Sequence, residues 1–152
     1  MSLIAILNSL AAQPVASGQV VPTVKHLDGL PNAVPTALCP CRLFLSGSEE
    51  GRGTEGSFSA LGTLLESTFQ ISDLMLWTTQ AQGTGRAQYE RDLTVYQDNY
   101  LAMLRGWRGA GQAQAHVVGF RSVIGLYEYP AQSGVRFWGV LVVVQVQEFY
   151  ST

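Results

Sequence analysis

Apolar residues recur along this chain with two periods, and each period predicts elements. Near the start, Leu3, Ile6, Leu7 and Leu10 repeat at helical spacing, with Ser2 placed to cap the first turn and Pro14 just past the last. The spacing predicts a short amphipathic helix over 2–13. A helix this short is marginal by itself, so its apolar face has to dock on something. The clearest helical stripe runs over 86–106. Tyr89, Leu93, Tyr96, Tyr100, Met103, Leu104 and Trp107 fall three, four and seven positions apart. Arg86 and Glu90 are four apart and can pair. Thr84 is placed as a cap, but Ala87 denies it a reciprocal capping box. Gly106 and Gly109 end the helix.

The alternating period predicts strands. Residues 14–35 are rich in breakers (Pro14, Gly18, Pro22, Gly29, Pro31, Pro35), with a strand over Val20–Leu27 and a turn at Asp28-Gly29. Ala37–Ser46 reads as a second strand. Pro40 has no N–H for a ladder, so this strand lies at an edge or carries a bulge. Leu61–Leu65 fits helix and strand equally, and Thr68–Thr79 is strand-like. The C-terminal stretch reads as a long β-hairpin: Ala115–Tyr129, a turn over residues 130–134, then Val135–Tyr150. On its second strand Trp138, Val140, Val142, Val144 and Val146 share one face, while Phe137, Leu141 and Val143 share the other. An arm apolar on both faces is expected to be covered on both faces. Between these elements, residues 46–60 are rich in Gly and Ser with three glutamates and read as a long exposed loop.

These elements predict an α+β fold: a mostly antiparallel sheet against one long helix and a short N-terminal helix. No internal repeat or domain boundary interrupts the chain, so residues 1–152 form a single domain. Composition sharpens the picture. Charged residues make up 13% and hydrophobic residues 47%, which argues against disorder and leaves few charges to keep a surface soluble and monomeric. Subunit contact is the economical explanation. The net charge is −2, Lys25 is the only lysine, and the arginines are scattered. Electrostatic gripping of nucleic acid needs clustered Lys and Arg, so sequence-specific nucleic-acid binding is not expected. No stretch reaches the ~18 apolar residues of a membrane span, and the start lacks a signal peptide's basic residues. The expected place of synthesis is the cytoplasm.

Candidate chemistry is sparse. Cys39-Pro40-Cys41 offers two thiols, but zinc normally takes four ligands and the two histidines, His26 and His116, are distant in sequence. Two half-buried thiols in a reduced protein is the preferred reading. Gly51-Arg52-Gly53 lacks the strand, helix and lysine of a phosphate loop. Ser46-Gly47-Ser48 and Gly56-Ser57-Phe58 do not join a strand to a helix as a nucleophile elbow does. Glu66, Asp73, Glu90, Asp92 and Asp98 read as surface acids. No catalytic, metal or cofactor constellation emerges, and the chain is not expected to be an enzyme.

The order of elements, together with the segment Gly134-Val135-Arg136-Phe137-Trp138-Gly139-Val140-Leu141-Val142-Val143-Val144-Gln145-Val146-Gln147-Glu148-Phe149-Tyr150, resembles the tail terminator proteins of long-tailed bacteriophages, the lambda U-protein type. An aromatic-Gly step there leads into a long apolar strand with a polar, aromatic end. The resemblance covers most of the chain as a pattern. It implies a virion protein assembled in the host cytoplasm. Six copies would form a ring on the tail tube protein, stop its polymerisation and present a surface to the head-tail connector or head-completion protein. It implies no catalytic residues and no cofactor.

On this reading the candidate subunit or partner interface is Arg136, Trp138, Val140, Val142, Val144, Phe149 and Tyr150. Glu49, Glu50, Arg52 and Glu55 form a candidate loop facing a lumen or partner. Two other readings stand beside it. One is a different neck or head-completion protein. The other is a small-molecule-binding α+β domain, in which Trp77, Trp107 and Trp138 line a pocket with converging polar groups such as His116 and Tyr127.

Overall fold

The computed structural model describes residues 3–15, 23–25, 34–44, 54–58, 64–80, 85–107, 115–130 and 132–149. The chain runs α1 (Leu3–Ala11), β1 (Thr23–Lys25), a 3-10 turn (Thr36–Leu38), β2 (Cys41–Phe44), β3 (Thr54–Phe58), β4 (Leu64–Thr79), α2 (Arg86–Gly106), β5 (Ala115–Glu128) and β6 (Arg136–Phe149). Six strands make one sheet in the order β1-β2-β4-β6-β5, with β3 beside β2 along the same side of β4. Only β1 and β2 run parallel; the other pairs are antiparallel. The fold is thus α+β, with a mostly antiparallel sheet and two helices.

The two longest pairings carry the sheet. β4 and β6 pair from Glu66↔Phe149 to Thr79↔Phe137, and β5 and β6 from Ala115↔Glu148 to Glu128↔Arg136. The C-terminal strand is therefore central, flanked on both sides by partners from its own chain. Within the run Val140–Val144, Val140, Val142 and Val144 join the inner core and Leu141 packs against the outer one.

On the inner face, Phe69, Ile71 and Met75 of β4 alternate with Val140, Val142, Val144 and Val146 of β6 and join one core cluster. The helices close it. α1 contributes Ile6, Leu7, Leu10 and Ala11, and α2 contributes Leu93, Tyr96, Tyr100 and Leu104, followed by Trp107. The α2 stripe is thus the buried side of a helix about 31 Å long. Trp107 Nε1 donates to Ser9 Oγ at 3.0 Å, which ties the end of α2 to α1. The outer face holds a smaller core of Val34, Cys41, Leu43, Leu74, Leu76 and Phe137, with Cys39, Tyr127, Tyr129 and Leu141 packed around it.

Several sequence expectations need correction. Ala37–Ser46 is not one strand. Residues 36–38 form the 3-10 turn, and β2 begins only after Pro40, whose missing N–H cannot enter the ladder. Residues 46–60 are not loop throughout, because Thr54–Phe58 pairs with the first part of β4 as β3. An edge strand draws its order from backbone pairing, so Gly and Ser did not forbid it. Of the ambiguous stretch 61–65, Leu64 and Leu65 belong to β4, and residues 61–63 lie outside the described residues. The N-cap of α2 is Gly85, with no side-chain cap bond; Thr84 and Gly109 lie outside the described residues. Of the strand expected over Val20–Leu27, Thr23–Lys25 is described.

Candidate functional site

The first group that demands an account lies in the inner core. Asp73 is not a surface acid. It is fully buried, and so is Arg42. Alternation along β4 gives Asp73 the same face as Ile71 and Met75, beneath α2. Burying a lone carboxylate there would be very costly, and the structure supplies partners instead. Arg42 Nη2 and Nε donate to Asp73 Oδ2 at 2.5 and 3.2 Å. Tyr100 Oη donates to the same oxygen at 2.7 Å. Arg42 Nη1 donates to the Gln13 carbonyl at 2.9 Å, just past the end of α1. The guanidinium carbon also lies 5.7 Å from the centre of the Tyr100 ring.

The electrostatics follow from that packing. Burial alone would lower the pKa of Arg42, but the Asp73 carboxylate outweighs burial and holds it above its ordinary value. Burial, reinforced by the Asp73 charge, pushes both Tyr96 and Tyr100 well above the usual tyrosine range. Arg42 thus stays charged and the two phenols stay neutral at ordinary pH. The group joins β2, β4, α2 and Gln13, two positions past the end of α1. Sealed from solvent, it can fix register and helix position, but it offers no substrate a way in.

Elsewhere among the described residues, the thiols, the described histidine and the tryptophans sit as follows. Cys39 and Cys41 are free thiols, half-buried and buried. The Cys39 thiol is pushed far up, first by its hydrogen bond with Cys41 and then by burial, so it is a poor nucleophile at neutral pH. His116 is exposed near the start of β5, while Tyr127, near its end, donates to the Val123 carbonyl. Eleven positions of strand separate them by about 36 Å, so they do not converge on one pocket. Trp77, Trp107 and Trp138 do not converge with them either. Trp107 is buried in the inner core, Trp77 packs against that core, and Trp138 is half-buried. Among the described residues no three His, Cys, Asp or Glu side chains gather to hold a metal ion. No helix of the described residues is long and apolar enough to cross a membrane.

The residues read as an interface divide. Val140, Val142 and Val144 are fully buried inside the single chain. Their face is already covered by α1 and α2, so they cannot also meet another copy. Trp138 is half-buried on the same side, and Arg136 is exposed at the turn end of β6. The side chain of Phe149, all of Tyr150, and Glu49, Glu50 and Arg52 lie outside the described residues. Glu55 falls in β3 rather than a loop.

The opposite side of the arm is less apolar than its sequence suggested. Phe137 is enclosed by the outer core and Leu141 packs against it. Val143 is half-buried, and around it stand Gln70, Ser72, Arg121, Gln145 and Gln147. What remains open is the sheet's edge. β5 is a 14-residue strand paired on one side by β6, and among the described residues nothing pairs its other side. Val118 and Val123, 49% and 40% exposed, lie along it.

No family model and no curated protein matches the chain. The signal that sequence reading missed was visible in one place. Asp73 sits in the alternating series Phe69, Ile71, Asp73, Met75, where a polar residue on an apolar face asks for a buried partner.

Proposed function

We propose that this chain is a structural subunit of a homo-oligomeric ring, of the kind formed by tail terminators of long-tailed phages. One face of such a ring would cap the tail tube protein, and the other would receive the head-tail connector or head-completion protein. The observation that carries the reading is the long side of β5, a sheet edge with no partner among the described residues. Unpaired backbone N–H and C=O groups along an edge recruit other strands unless something blocks them. The layering supports the reading too: a sheet on one long and one short helix, with the chain's polar interior spent on holding that layering rather than on a reactive cleft.

The logic of a terminator is physical. A stacked tube exposes the same end after every addition, so its growth is open-ended. A closed ring that matches this end with one face and denies it with the other stops growth without chemistry. The low charge of the chain, 13% of residues, suits surfaces that are covered in an assembly. The proposed location is the virion neck, reached after assembly in the host cytoplasm.

Electron microscopy of the purified protein, with its mass by light scattering, tests the reading. Rings of six are expected. A protein that stays monomeric at high concentration overturns it.

A further inference from the structure

We propose that neighbouring copies join edge to edge, β5 of one copy against β3 of the next, as an antiparallel strand pair with Arg121 beside Glu55. The inference rests on the ring reading and specifies the contact that would close it.

The topology supplies the first argument. The sheet ends at β5 on one side, while β3 shares the other side with β1 and β2. Among the described residues no strand pairs the outer side of β5 or of β3. β3 runs antiparallel to β4, β4 to β6, and β6 to β5, so β3 and β5 run in opposite directions. A second copy placed alongside in the same orientation therefore offers β5 an antiparallel partner, with no inversion of either sheet face. Head-to-tail contacts of this kind generate rings.

Charge supplies the second. On β5 the outer-face residues include His116 and Arg121, both exposed. On the opposite edge, Glu55 stands across from Thr68 and Ser57 across from Glu66 of β4, all at outer-face register positions. β5 thus places an arginine, and β3 a glutamate, at register positions of the same sheet face. Pairing β5 with its own copy offers Arg121 no acidic residue at an outer-face position, whereas β5 against β3 offers it Glu55.

Register supplies the third. Followed straight across the sheet, Glu55 is level with Thr68, Gln147 and His116. That level adjoins the irregularity between Val117 and Gly119, where a new ladder would be broken. Strands that close around an axis are staggered. A stagger equal to the step from Gln147 to Val143 brings Glu55 level with Arg121 and keeps it on the same face. From Gly119 to Glu128 the strand has no bulge, proline or lysine to block pairing. Five paired residues make a small contact, below the roughly 800 Å² per partner of a standard interface. Closure compensates, because every copy makes the contact twice.

The test is a charge exchange. Arg121→Glu and Glu55→Arg alone should each weaken assembly at least tenfold, with mass falling toward the single chain. The double variant should restore rings. Circular dichroism checks that each variant folds. Hydrogen exchange on the unaltered protein gives an independent reading, since amides of 119–128 and 54–58 should gain protection on assembly. Rings from the unaltered protein, with single variants that assemble equally well and no gain in protection, overturn the edge contact and leave the ring reading standing. An unaltered protein that never assembles overturns the ring reading, and this contact with it.

Discussion

At the scale of single residues, the Arg42–Asp73–Tyr100 group is a buried, hydrogen-bonded ionic centre of the inner core. A buried ion pair is not strongly stabilising against a well-packed apolar replacement, because both charges lose their water. Breaking it is a different matter. Asp73→Ala leaves the Arg42 guanidinium buried beside an empty place, and should cost about 3–5 kcal/mol in urea unfolding. Replacing Arg42 with Met, Asp73 with Leu and Tyr100 with Phe together should recover most of that loss. If Asp73→Ala is nearly silent, the pair does not hold the core. The two phenols make a separate prediction about alkaline pH. Their folded pKa lies above the ordinary value of 10.0, so the neutral form is the one the fold prefers. Their contribution is complete below pH 10, and is lost as pH climbs from there toward the folded pKa, since the unfolded chain releases those protons first. Tyrosinate absorbance should show Tyr96 and Tyr100 ionising only together with loss of helix. Smooth ionisation of every tyrosine in the folded protein would contradict their burial.

Elements carry constraints that single contacts do not. β4 contains an irregularity between Leu76 and Thr78, opposite Gly139 of β6. A Cβ at Gly139 would lie 2.1 Å from the Met75 carbonyl oxygen, which belongs to the backbone and cannot rotate away. Gly139→Ala should therefore force strands β4 and β6 apart and cost roughly 1–3 kcal/mol or more. Gly125, its cross-strand partner on β5, is the control. A Cβ there meets only the Tyr127 ring, at 3.7 Å or beyond, so Gly125→Ala should stay within about 0.5 kcal/mol of the parent. Equal effects in denaturant titrations would mean that the close approach is not real. The aromatic-Gly step that drew attention in the sequence thus has a mechanical role: Trp138-Gly139 lets the central strand pass a bulged neighbour.

For the whole molecule, the proposed assembly would be coupled to stability. If folded copies associate and unfolded ones do not, mass action raises the melting temperature with protein concentration. A tenfold rise in concentration should raise Tm measurably in the ring-forming protein and leave it unchanged in a variant that cannot assemble. A Tm independent of concentration across the range where rings are seen would show that the ring adds nothing to folding. The apolar arm is largely covered from within, by helices on one side and by the outer core on part of the other. What the proposed assembly rests on is the line of backbone along β5, unpaired on its far side among the described residues.

Local periodicity was enough to establish both helices, most strand positions and the closing hairpin, because each depends on side chains spaced along one stretch of chain. α2 begins and ends where its stripe and glycines said it would. Three things were decided only in three dimensions. Strand order placed β6 in the middle, which put Val140, Val142 and Val144 of the candidate interface into the core. Backbone pairing made a strand of Thr54–Phe58, whose side chains advertise none. Proximity across 31 residues joined Arg42 to Asp73 and made a surface-looking acid the anchor of the interior. Periodicity tells which face of an element is apolar; which neighbour covers that face, and which edge is left over, depends on contacts between segments far apart in the chain.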